Sequence, residues 1–128
     1  MAVTHPTTFR DAVADLVDST LGTTAKLVFR LSGTAGSPGT AVTTLAFGNP
    51  AFGASSSGVI TANAITSDTN ATGNASPVAN ATLETGGGTV VVHCAVAGSG
   101  SDINLTGGLT IGAGDTVSCS SLTYTAMP

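Results

Sequence analysis

The residues able to do chemistry are few and scattered. The 128-residue chain has two histidines (His5 and His93), two cysteines (Cys94 and Cys119), seven acidic residues and three basic ones. General acid–base catalysis needs two poised groups on one substrate, and nucleophilic catalysis needs a base beside the nucleophile. His93 adjoins Cys94, but neighbours on a strand point to opposite faces, so the two do not form a Cys–His pair. A metal site needs closely spaced paired ligands. The two cysteines are far apart with no second pair, and they read as small apolar thiols on inward faces that stay reduced. A disulfide and a reactive thiol are the lesser alternatives. Gly112-Ala113-Gly114 lacks both the third glycine and the following helix of a phosphate-binding loop. The expectation is a chain that is not an enzyme, with no catalytic residue, no cofactor and no metal.

Charge narrows the partners. Net charge is −4, and Arg10, Lys26 and Arg30 are the only cations. That is too few to neutralise a run of phosphates or to hold an anionic membrane surface, so neither nucleic acid nor membrane is expected. No apolar run approaches the roughly 18 residues of a membrane span. Met1 to Asp18 lacks the basic and apolar regions of a secretory signal, so synthesis in a cytoplasm is expected. Four Asn-x-Ser/Thr sites, at Asn70, Asn74, Asn80 and Asn104, read as chance products of a composition rich in those residues. More than half of the chain is Gly, Ala, Ser or Thr, and aromatics are 4%. A core of Val, Leu and Ala with few large anchors leaves an isolated monomer a thin margin of stability.

The helical pattern is confined to residues 7–19. Phe9, Val13, Leu16 and Val17 fall on one face of a 3.6-residue period, and Asp11, Asp15 and Asp18 on the opposite one. Thr8 with Asp11 reads as a weak capping box after Pro6. The acidic stripe reads either as a solvated face or as a surface for a basic partner. Residues 1–22 are accordingly read as an arm and helix that dock on something, with residues 23–128 as a single β domain. The docking contact is expected to weaken with salt.

From Lys26 onward the period becomes two. Leu27, Phe29 and Leu31 alternate with Lys26, Val28 and Arg30. Strands follow near 41–47 and 58–65, separated by Gly/Pro turns at 32–40 and 48–54. Residues 71–84 alternate small apolar with polar residues, and Pro77 makes them an edge strand or two strands joined at a bulge. Thr89–Ala97 is the strongest strand. Short strands near 103–105 and 109–111 precede a last strand at 116–127, where a change of phase predicts a bulge at Ser120-Ser121. The fold class is mainly β: an antiparallel sandwich or barrel of about seven or eight strands with one short N-terminal helix.

Thr44–Asp68 reads TLAFGNPAFGASSSGVITANAITSD. With the preceding KLVFRLSGTAGSPGTAV and the later Gly-rich strand pairs, it resembles a group of small virion structural proteins of tailed bacteriophages. Their shared pattern is a short helix, a strand, a Gly/Pro loop, an L-x-F-x-x-P-A-F-G-A segment and a Ser/Thr-rich last strand. The chain departs from it at Pro77–Asn80, where relatives more often carry an aromatic pair. The resemblance implies a virion component assembled in a bacterial cytoplasm. The first reading is a capsid decoration, or cement, protein on the outer surface of the head. It would bind the major capsid protein or neighbouring virion subunits as a homo-oligomer, with a trimer favoured. The second is a tail or fibre component, for which residues 71–97 could supply a long hairpin. The third is a carbohydrate-binding module, but Phe47, Phe52 and Tyr124 read as core and not as sugar platforms. The candidate partner-interface residues are Phe9, Asp11, Asp15, Asp18, Pro50 and Phe52.

Overall fold

A computed structural model describes residues 3–126. The fold is mainly β with one helix. The elements are α1 (Thr7–Leu21), β1 (Lys26–Arg30), β2 (Ala41–Ala46), β3 (Val59–Thr61), β4 (Asn80–Glu84), β5 (Val90–Ala97), β6 (Ile103–Asn104) and β7 (Thr123–Thr125). A curled five-stranded sheet runs in the order β2-β1-β4-β5-β6, and β3 pairs with β7 in a second, two-stranded sheet. The pairings are antiparallel except β5–β6, which is parallel, so the expected all-antiparallel sheet is a mixed one.

Register explains the core. Leu27 lies opposite Leu45 on one side and Leu83 on the other, and Leu83 lies opposite Val92. A period of two therefore builds one apolar row across four strands. Phe29 and Ala81 continue that face. Phe47, Phe52, Ile60, Ile111 and Val117 pack over it, together with Ala14 and Leu21 of the helix. The helix is thus packed into the core and does not stand apart from a complete β domain. The first two residues of the expected 1–22 arm lie outside the described residues.

The segment 71–84 differs from its expected form. Only Asn80–Glu84 is a strand, and it lies at the centre of the sheet with all five residues buried. Ahead of it the backbone bonds to the edge of β2 and to loops: Gly73 N–H to Val42 O (3.0 Å), Asn74 N–H to Ile111 O (2.8 Å) and Val78 N–H to Leu109 O (2.8 Å). Pro77, which has no N–H to give, falls in this irregular stretch and leaves the central ladder intact. Residues 71–97 are therefore no projecting hairpin.

The last strand is shorter than expected as well. Val117 makes an isolated bridge to Asp68, whereas Thr123–Thr125 pairs with β3, so the change of phase is a change of partner and not a bulge within one strand. Residues 109–111 are not a strand, and Met127, the expected end of the last one, lies outside the described residues.

The outer edges of the large sheet are tied down at particular residues. Along β2, Gly73 N–H donates to Val42 O, Thr44 N–H donates to Asp68 Oδ2 (3.1 Å), and Ala46 exchanges two bonds with Thr66. At the other side, Ala95 N–H donates to Asp102 Oδ2 (2.9 Å) just before β6 joins β5.

A candidate interaction surface

The helix decides what the chain shows its surroundings, and it is rotated from the face expected of it. Its buried residues are Ala14 and Leu21, with Val17 packed beside them. Asp11 Oδ1 accepts the backbone N–H of Gly58 (2.7 Å), and Asp18 Oδ1 accepts that of Phe52 (3.0 Å). These N–H groups sit in irregular chain where no ladder supplies an acceptor. A buried donor left unpaired costs about 1–3 kcal/mol, so the two carboxylates turn inward. The predicted capping box does not form: Pro6 is the N-cap and no side chain caps the first turn. Only Asp15 of the acidic stripe is exposed.

Close approach explains the choice of face. Gly58 has φ +77°, and a β-carbon there would stand 2.9 Å from Arg10 Cβ. Arg10 itself reaches on to Ala126 O through Nη2 (3.5 Å). A helix lying this near a loop backbone presents alanine inward and sends its bulk elsewhere. Phe9 and Leu16 consequently face outward, half or more exposed, and Val3 in the preceding arm is exposed too; among the described residues these are the large apolar side chains left in solvent. His5 stacks at a tilt on Phe9, with ring centroids 4.9 Å apart.

The other two interface candidates separate. Pro50 is exposed, after a cis peptide bond from Asn49, and its carbonyl accepts Asn63 Nδ2 (2.8 Å). Phe52 is 1% exposed, with its ring 5.6 Å from that of Phe47. It is a core residue and cannot touch a partner. Phe47 is buried and Tyr124 half-buried.

The far face of the large sheet holds a polar cluster that the sequence did not single out. Arg30 donates through Nη2 to Glu84 Oε2 (2.5 Å), through Nε to Thr82 Oγ1 (3.2 Å) and through Nη1 to Gly39 O (2.6 Å). Thr82 Oγ1 in turn donates to Glu84 Oε2, which closes a ring of three bonds. Arg30, Thr82 and Glu84 alternate along β1 and β4, and that register brings them to one face. Their signal in the sequence was opposite charge on two strands, readable only once those strands are known to be neighbours.

The thiols are half-buried and free. Burial pushes Cys94 up to about 11, with the Asp102 carboxylate adding to the effect. Burial also raises Cys119. Both are protonated near neutrality and poor nucleophiles. Cys119 lines an open cleft of about 490 Å³ between residues 102–111 and 115–122, with Phe29, Ile103 and Leu122 on its walls and a rim of Ser, Thr and Gly. Among the described residues no three His, Cys, Asp or Glu side chains lie together as a metal set, and no helix is long and apolar enough to cross a membrane. Compared with protein families, curated proteins and solved structures, the chain matches no family model, no curated protein and no solved structure.

Proposed function

We propose that the chain is a structural protein of a tailed-phage virion, a decoration protein that binds the major capsid protein on the outside of the head. The observation that carries this reading is the place of Thr44–Asp68, the stretch that bears the resemblance. Leu45, Phe47, Ala51, Phe52 and Ile60 are core residues, and Asp68 binds the edge of β2. The matching residues are architectural, as suits a module whose work is to hold a surface in place. The carboxylates Asp11, Asp18, Asp68 and Glu84 are likewise spent on internal bonds. The tail reading asks residues 71–97 for a long projecting hairpin, whereas β4 lies at the centre of the sheet between β1 and β5.

Locating the chain on purified virions tests the proposal. Labelled antibody in electron microscopy is expected to mark the whole shell, and quantitative mass spectrometry to count hundreds of copies per particle. A handful of copies confined to the tail, or none in the particle, refutes the decoration role.

A further inference from the structure

We infer that the outward face of α1, with Phe9, Ala12, Asp15 and Leu16, is the surface that seats on the capsid shell, in an apolar groove that carries a lysine or arginine opposite Asp15. The inference rests on the decoration reading and adds to it the contact surface and the chemistry of its partner.

The apolar part of the argument is spacing. Phe9 and Leu16 are two turns apart and project from one stripe of the helix, with Ala12 exposed between them. The opposite stripe is committed to the core through Ala14 and Leu21 and to loop backbones through Asp11 and Asp18. The helix is therefore held rigidly while two large side chains stay wet. Burying each on a partner is favourable, and neither has to be released from the fold first.

Charge selects the occupant. Asp15 is the exposed carboxylate beside the strip, and no basic residue lies in the last turn to offset the partial negative charge of the helix C-terminus. A second copy of the chain is a poor complement. Arg30 is tied to Glu84, and Arg10 lies against Gly58 and Ala126, leaving Lys26 as the remaining cation of a chain with net charge −4. The complementary surface is apolar and basic, and so belongs to a different protein.

The test uses full-length protein and shells purified from a phage lacking the gene for this chain. Binding is measured by co-sedimentation for the wild type, Phe9→Ser, Leu16→Ser, Asp15→Lys and Asp15→Glu, with circular dichroism and elution volume recorded for each. The two serine variants are expected to fold and to lose about tenfold or more in affinity each. Asp15→Lys is expected to weaken binding several-fold and Asp15→Glu to leave it unchanged. Wild-type binding matched by all the variants overturns the inference while leaving the decoration role standing. No wild-type binding to the shells overturns the decoration role and the inference with it. Serine variants that dissociate an oligomer yet still bind shells assign the face to self-association, and overturn the inference too.

Discussion

Replacing Arg30 with methionine isolates the energetics of the sheet's far face. The substitution keeps much of the apolar stem and removes the charge. Glu84 is then left 1% exposed, with Thr82 as its remaining side-chain donor. Removing one partner of a buried ion pair typically costs 3–5 kcal/mol, roughly, because the abandoned charge cannot recover its hydration. Arg30 also gives up its bond to Gly39 O, which helps hold the 32–40 loop against β1. That places the expected loss at the upper end of the range. For a domain of this size it corresponds to a fall in Tm of roughly 10–20 °C. Replacing both partners, as Arg30→Met with Glu84→Leu, removes the stranded charge and is expected to recover most of the loss. Urea unfolding followed by circular dichroism on the wild type, both single variants and the double variant gives a complete cycle. A single Arg30→Met variant within about 1 kcal/mol of wild type refutes the reasoning, since a stranded buried carboxylate cannot cost so little. So does a double variant no more stable than Arg30→Met.

Three further outcomes are expected. Gly58→Ala, at φ +77° and against Arg10, should destabilise by about 1–3 kcal/mol in the same urea assay; an unchanged midpoint contradicts the close helix–loop contact. Asp68 is held below the usual carboxylate range by the Thr43 hydroxyl first and then by the N–H groups of Asn70 and Thr44. It therefore adds stability that is complete above the ordinary Asp value of about 4 and is lost as pH falls below it, towards the folded pKa. Asp68→Asn should flatten that acid limb, and a carboxyl titration by NMR with its midpoint at or above the ordinary value contradicts the assignment. Native protein should label slowly with a thiol reagent at pH 8 and label at both Cys94 and Cys119 once unfolded; rapid native labelling of Cys94 contradicts its upward shift.

What could be read from the residues alone follows from which faces are wet. β1 and β5 alternate in sequence, which made them visible by period with Leu27, Phe29, Val92 and Val96 on the core face, although Val28 on the other face of β1 is buried as well. Pro77 reads as part of one long strand over 71–84 and so points to an edge or a bulge; the strand begins only at Asn80, and its polar residues Thr82 and Glu84 are buried where Arg30 crosses from β1 to bond them. That pairing is a tertiary fact, and no local pattern encodes it. The existence and length of α1 were legible, but its orientation was not. A moment built from large apolar residues selects Phe9 and Leu16, whereas the packed face buries Ala14, brings Arg10 against Gly58 and turns Asp11 and Asp18 to backbone donors. Phe52 reads from the sequence both as core and as a contact residue, and its burial at 1% exposure fits only the first.

The carboxylates on the two margins of the large sheet have a consequence for crowding. A strand margin with free donors and acceptors recruits any extended chain it meets, and an array of many copies raises such encounters steeply. Asp68 occupies the N–H of Thr44, and Asp102 that of Ala95, each with a group that accepts bonds and cannot donate one. An incoming strand would have to displace a charged oxygen that has its own partners and, at Asp68, three separate donors to hold it. At Thr44 and Ala95 the margins therefore offer an extended chain no free donor, which works against the fibrous stacking to which a Val-, Thr- and Gly-rich chain is prone.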